Sequence, residues 1–167
     1  ADPMLTRVRN ELAKRRLLHK GRHPYVTDGP LIVLPGVLDP VATKVGAWLA
    51  EVMRSEVGPG ERWADMGCGT GIVGVAMAEA GARVTCIDID PDAVRNARAN
   101  AALRGVSVDG AVSDLFANAP GPFEGVVYNV PFWPGEPDGS AFSRAFYAGL
   151  DFAAIRSFAA AASLHAN

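Results

Sequence analysis

Short apolar runs alternate with longer stretches of helical period through most of the chain, and their order predicts the architecture. Residues 62–66, 83–88, 106–112 and 125–128 read as four buried strands. Between them the period changes. From residue 41 onward, Val45, Trp48, Leu49, Val52 and Met53 share one helical face, and Gly58-Pro59-Gly60 ends that helix. Residues 72–80 are small and apolar, as in a helix packed closely on a parallel sheet, and residues 92–103 set Ala93, Ala97 and Ala101 on a narrow stripe. Asp90 suits the cap of that helix and Pro91 its first position. A last helix is predicted over 151–164, with Asp151 as its cap and Ile155 and Phe158 inward. Strands alternating with helices in this way predict an α/β fold on a parallel sheet. Ahead of it, Leu31-Ile32-Val33-Leu34 lies between Asp28-Gly29-Pro30 and Pro35-Gly36, so residues 25–38 read as a hairpin or flap.

The first strand of the alternation runs into Asp65-Met66-Gly67-Cys68-Gly69-Thr70-Gly71-Ile72. Glycines at alternate positions let a ligand approach the backbone where a Cβ would collide, and a helix beginning near Thr70 aims its free N–H groups at that ligand. The pattern is that of a nucleotide-type cofactor site. Gly69-Thr70-Gly71-Ile72-Val73-Gly74 also satisfies the dinucleotide fingerprint G-x-G-x-x-G, with acids about 20 residues further on, which admits a nicotinamide-dependent oxidoreductase. Asp65 separates the two readings, because a carboxylate before the first glycine attracts a cationic amino group and repels a pyrophosphate. The stretch resembles motif I of class I S-adenosylmethionine-dependent methyltransferases, D/E-x-G-x-G-x-G. The resemblance implies a Rossmann-like sheet with helices on both faces, S-adenosylmethionine as cofactor and S-adenosylhomocysteine as product. Asp65, Gly67, Cys68, Gly69 and Gly71 would hold the methionine part.

Two further acids follow in the order this pattern needs. Asp88 ends the second strand, where its carboxylate can accept both ribose hydroxyl protons, with Ile89 beside it and Asp90 left to cap the helix. Asp114, in Ser113-Asp114-Leu115-Phe116, corresponds to the acid that accepts from the adenine amino group, with the Leu115 N–H meeting the ring; a turn acid is its plainer reading. Residues 34–40 followed by Thr43 resemble the lead-in of small-domain methyltransferases, which closes over the methionine end of the cofactor.

The fourth strand delivers Asn129-Val130-Pro131-Phe132-Trp133-Pro134. An Asn side-chain carbonyl and a following backbone carbonyl can both accept from a substrate NH2 and aim its lone pair. Proline stiffens the loop, and an aromatic neighbour can stack on a planar amide or base. The run resembles the N-P-P-Y/F signature of methyltransferases acting on planar nitrogen, with Val130 in place of the first proline and Phe132 in place of tyrosine. Gly149-Leu150-Asp151-Phe152 with Arg156 resembles the G-L-D-x-x-R segment of protein-(glutamine-N5) methyltransferases. Asn129, Pro131 and Phe132 are the candidate catalytic residues, and Asn129 also borders the cofactor. The resemblance implies a protein glutamine amide as the first acceptor. An RNA base amino group, a small amine or amide, and a non-catalytic cofactor-binding module are the alternatives.

Composition narrows the rest. At 167 residues with 49% hydrophobic and 20% charged positions, the chain has the make-up of a soluble globular domain. No run approaches the roughly 20 apolar residues of a membrane span, so no membrane partner and a cytoplasmic location are expected. Cys68 and Cys86 form no disulfide framework, and neither they nor His19, His23 and His165 show metal-ligand spacing. Residues 1–3 read as a cloning scar, 4–24 as a basic helical segment and 25–167 as one methyltransferase domain. Residues 1–23 carry a net charge of +5 against −7 for the remainder, so segment 7–23 is a candidate RNA contact. The class I sheet implied by the resemblance has more strands than the four legible here. A sheet truncated after its fourth strand and following helix is therefore expected, either in a fragment or in a chain whose exposed edge an oligomer or partner covers.

Overall fold

The structure, a computed structural model, describes residues 25–26, 31–40, 44–139 and 141–165. A two-stranded antiparallel hairpin, β1 (Tyr25–Val26) and β2 (Ile32–Val33), precedes α1 (Val45–Glu56). Then come β3 (Arg62–Met66), α2 (Ile72–Glu79), β4 (Arg83–Asp88), α3 (Pro91–Leu103), β5 (Asp109–Val112) and β6 (Gly125–Tyr128). A short α4 (Ala141–Phe146) and a longer α5 (Ala153–His165) follow. The strands β3 to β6 form a parallel sheet in the order β5-β4-β3-β6. The chain thus moves outward from β3 to β5, then returns to the other side of β3. That reversal opens a crevice at the carboxyl ends of the strands.

Alternation along the strands divides the core into two layers. Trp63, Val84, Cys86 and Val127 pack with α1 and α2 on one face, while Ala64, Met66 and Ile87 meet Phe116, Phe123 and Phe158 on the other. Phe158 of α5 stacks on Phe116 at 5.8 Å between ring centres and leans on Tyr128 at 4.9 Å, so it points inward as expected, with Ile155 half-buried. Helices therefore cover both faces.

Three local expectations are corrected. In α1 the buried residues are Gly46, Ala50 and Met53, whereas Val45 and Trp48 are 45% and 66% exposed. The reason is close approach: a Cβ on Gly46 would lie 2.9 Å from Pro40 and 3.4 Å from Ile72, so the helix turns its smallest residue to its neighbours and the larger ones outward. The third strand starts at Asp109, not at residue 106, because the Val106 N–H returns to the Ala101 carbonyl and closes the end of α3. Asp151 does not cap α5; its carboxylate pairs with Arg156, and the Ala154 N–H donates to the Ala148 carbonyl.

The hairpin is attached through polar contacts. Asn96 and Asn100, one turn apart on α3, are both fully buried. Asn100 Oδ1 accepts from the Ile32 N–H at 2.7 Å, and Asn96 Oδ1 accepts from the Leu34 N–H at 2.8 Å. Both Nδ2 groups donate to the Ile32 carbonyl, and that of Asn100 donates also to the Thr70 carbonyl, each at 2.8 Å. Two carboxamides take the place of a neighbouring strand and satisfy the Ile32 N–H, the Ile32 carbonyl and the Leu34 N–H. No helix among the described residues is long and apolar enough to cross a membrane.

Candidate active site

The carboxyl ends of the four parallel strands open onto one cleft of about 210 Å3. Gly67 and Gly69 line it from the turn after β3, Asp88, Ile89 and Asp90 from the turn after β4, and Ser113, Asp114 and Leu115 from the turn after β5. Tyr128, Asn129 and Pro131 line it beside β6, as do Gly36, Val37 and Leu38 of the lead-in and Arg144 of α4.

The glycine turn has a division of labour that its spacing conceals. Gly67, Gly69 and Gly71 all have positive φ, at 63°, 53° and 77°. A Cβ on Gly67 would lie 2.8 Å from the Tyr128 ring and one on Gly71 2.6 Å from the Ala97 backbone, whereas one on Gly69 meets nothing within 4 Å. Gly71 is therefore required for helix packing, and Gly69 leaves open space facing the cleft. Cys68 is buried, donates its N–H to the Ile87 carbonyl at 3.0 Å and lies outside the lining. Hydrogen bonding to Cys86, together with burial, pushes its thiol pKa up.

Asp65 is placed beneath the turn rather than in the cleft. It is 4% exposed, and its Oδ2 accepts from the Gly74 N–H at 2.8 Å. Gly71, the N-cap of α2, has no side chain to satisfy the first-turn donors, so Asp65 serves as a cap from nine residues back in sequence. Asp65, expected beside a ligand ammonium, thus lies outside the cleft lining, with one first-turn N–H, that of Gly74, turned to it. Burial pushes the Asp65 pKa up to about 7, the Gly74 N–H opposes this, and the Asp88 charge adds to it. Between about pH 4 and 7 the folded chain then holds a proton that the unfolded chain has lost. Stability of the ligand-free protein is expected to fall through that window by on the order of 2–4 kcal/mol and to level off above it. Urea midpoints at pH 5 and pH 8 test this, and Asp65→Asn should flatten the difference.

Asp88 has the opposite disposition. It lines the cleft while its Oδ2 accepts from the Gly69 N–H at 3.0 Å and its Oδ1 from the Asp90 N–H at 2.9 Å. A carboxylate offers about four acceptor positions, so each oxygen keeps one for a diol. Burial outweighs these two N–H groups and raises the Asp88 pKa. Asp90 caps α3 through the Asp92 N–H, as the sequence implies. Asp114 is exposed at the cleft rim, and Leu115 holds a positive φ of 48° that turns its backbone toward the cleft wall.

The Asn129 side chain is exposed at the cleft and makes no hydrogen bond among the described residues. Pro131 is buried and lines the cleft; Phe132 is 56% exposed, lies outside the lining and meets Trp133 edge to face. Behind them the Trp133 N–H donates to the Phe146 carbonyl and the Ala148 N–H to the Trp133 carbonyl, both at 2.9 Å, while Gly135 and Gly149 exchange hydrogen bonds. The acceptor loop is thus braced by residues 146–149. Sequence reading missed Tyr128, Ser113 and Arg144 as cleft residues. Tyr128 sits one position before Asn129 on a strand end, a signal that was legible; burial followed by the Asp88 and Asp114 charges pushes its pKa up to about 12. Arg144 reaches the site only through α4, whose approach nothing in the sequence foretells. Thr43 and the basic segment 7–23 lie outside the described residues.

A parallel sheet reversing at β3, a glycine turn, ordered acids after the next two strands and an Asn-led loop after the fourth define the class I methyltransferase fold. Residues 37–149 match the family model described as methyltransferase small domain, and the chain belongs to that family. It is 39% identical over 75 residues to a candidate protein N5-glutamine methyltransferase of Methanocaldococcus jannaschii, covering 44% of this chain and 38% of that protein. It is 36% identical over 86 residues to ribosomal RNA small subunit methyltransferase C of Chromohalobacter salexigens, covering 50% of this chain and 26% of that one. The chain matches over less than two fifths of the length of either relative. Among solved structures, the Thermus thermophilus 16S rRNA N2 G1207 methyltransferase, in complex with AdoMet and guanosine, superposes with a TM-score of 0.60 at 20% identity, over 86% of this chain and 38% of that one.

The cleft fits the family's cofactor, S-adenosylmethionine, on its own chemistry. Three carboxylates and one guanidinium face it, which favours a cation over a pyrophosphate. Asp88 has acceptor positions free for a ribose, and Ile89 and Leu115 supply apolar walls for a base.

Proposed function

We propose that the chain carries the methyl-transfer site of an S-adenosylmethionine-dependent N-methyltransferase, acting first on the side-chain amide of a protein glutamine. The observation that carries this is Asn129: a carboxamide just after β6, without a hydrogen-bond partner among the described residues, beside buried Pro131 and facing the cofactor cleft. The bound cofactor supplies an electrophilic methyl group on sulfur. The chain's part is to hold the acceptor nitrogen. The Asn129 carbonyl accepts one N–H proton, orienting the lone pair, and the brace behind Trp133 holds the backbone of the loop that follows it. No side chain need remove a proton before transfer, because the nitrogen loses it to solvent afterwards. Gly67 and Gly69 border the methionine part, Asp88 holds the ribose and Asp114 with Leu115 the adenine. Phe132 offers its exposed face to the planar acceptor.

The relative named for protein glutamine supports the protein acceptor. A base amino group in RNA is the second reading, favoured by the net +5 of residues 1–23 and by the relative named for ribosomal RNA. Transfer of radiolabelled methyl from S-adenosylmethionine to protein, RNA and small-molecule pools tests the assignment. Label in protein, released as N5-methylglutamine on proteolysis, is the expected result; label in nuclease-sensitive material alone would overturn it.

A further inference from the structure

Tyr128 borders the cleft and has no part in the roles assigned to Asp88, Asp114 and Asn129. It ends β6, in register with Met66 and one residue ahead of Asn129. Its ring is held from two sides. A Cβ on Gly67 would lie 2.8 Å from the ring edge, and Phe158 of α5 meets the ring at 4.9 Å between centres and 59° between planes. The hydroxyl makes no hydrogen bond among the described residues and is not sealed in the interior, so it opens onto the space that the residue borders, the cleft. Tyr128 packs in the sheet layer that also holds Leu115, and the charges of both Asp88 and Asp114 reach its phenol. The hydroxyl therefore belongs to the part of the cleft where the acids assigned to ribose and adenine meet.

Ionised carboxylates only accept hydrogen bonds. They suit the ribose hydroxyls and the amino group of an adenosine, which donate. The ring nitrogens of adenine are acceptors and call for a donor instead. The other side-chain donors at the cleft have different positions: the Ser113 hydroxyl is turned to the Asn118 N–H, Arg144 leans on Asp90 at 3.9 Å, and Asn129 heads the acceptor loop. We propose that Tyr128 is a cofactor-binding residue whose hydroxyl donates a hydrogen bond to a ring nitrogen of the adenine, beside the carboxylate that takes the amino hydrogen. Burial and the two neighbouring carboxylates keep the phenol protonated through the neutral range, as a donor must be. A ring already fixed against Gly67 and Phe158 loses little freedom when the ligand arrives. The inference rests on S-adenosylmethionine being the ligand of the cleft.

Calorimetric titration of the unaltered protein and of Tyr128→Phe tests it. The ligands are S-adenosylhomocysteine, which carries the same adenosine and does not turn over, and its analogues in which N1, N3 or N7 of the adenine is replaced by CH. Phenylalanine keeps the ring on Gly67 and Phe158 and removes the hydroxyl alone. Loss of one neutral hydrogen bond predicts about three- to tenfold weaker binding of S-adenosylhomocysteine by the variant. One analogue should show a loss of that size in the unaltered protein, and the variant should bind it as well as it binds S-adenosylhomocysteine. Unchanged affinity in Tyr128→Phe, or the same loss from the substitution with every ligand of the series, would overturn the proposal. If Tyr128→Phe fails to fold, tyrosine labelled with carbon-13 at Cζ in the unaltered protein reads the same contact. Its Tyr128 resonance should shift with S-adenosylhomocysteine and not with the responsive analogue; an equal shift with all ligands refutes the contact. Tight binding that is indifferent to the hydroxyl removes the role of Tyr128 and leaves the cofactor site standing, whereas binding of no ligand by the unaltered protein removes the cofactor reading itself.

Discussion

Asn129→Ala is expected to lower methyl transfer by about a hundredfold or more while S-adenosylmethionine affinity stays within about twofold. The size follows from what the residue supplies. Alanine keeps the backbone carbonyl and Pro131 in place, since the loop is tied to residues 146–149 through main-chain hydrogen bonds. What disappears is the side-chain acceptor proposed to orient the nitrogen lone pair, and a rotationally free substrate nitrogen would spend little time aligned with the methyl group. Single-turnover transfer at saturating cofactor, set beside calorimetric affinity, separates the two quantities. An equal loss of both would assign Asn129 to the architecture of the cleft.

The second large effect concerns Asp88. Asp88→Ala is expected to weaken cofactor binding by about a hundredfold or more, because two hydrogen bonds to a charged acceptor are lost together. The Gly69 and Asp90 N–H groups also lose their partner, so the turn that borders the methionine part loosens with the ribose contact. Asp88→Asn retains one acceptor oxygen and should fall between the two. Affinity unchanged in Asp88→Ala would mean that the diol is bound elsewhere.

Much of the fold was legible because strand and helix periods alternate cleanly from residue 62 to residue 128, and because Asp90 and Pro91 mark a helix start without ambiguity. The errors have a common physical origin. Hydrophobicity and spacing place Trp48 inward, yet Gly46 sets which side of α1 comes closest to its neighbours. Residues 106–108 look like strand from composition, but a main-chain hydrogen bond to Ala101 claims them for the helix end. In the site, the order of Asp65, Asp88, Asp114 and Asn129 along successive strand ends was readable. Which acid faces the cleft was not, since Asp65 and Asp88 differ in the direction their side chains leave neighbouring strands and in the N–H groups waiting for them. Arg144 was invisible because its place depends on how residues 131–149 fold back on themselves.

The paired asparagines on α3 set the lead-in like a peg in two holes. Apolar contact alone tolerates sliding, but carboxamides one helical turn apart match only peptide groups two residues apart, those of Ile32 and Leu34. A shift of the hairpin by one residue would strand both side chains in a dry interior without partners, a penalty of several kcal/mol. Because Asn100 also holds the Thr70 carbonyl, the lead-in that lines the cleft at residues 36–38 and the glycine turn are indexed to the same helix. The height of the space between them is thereby gauged by a single rigid rod.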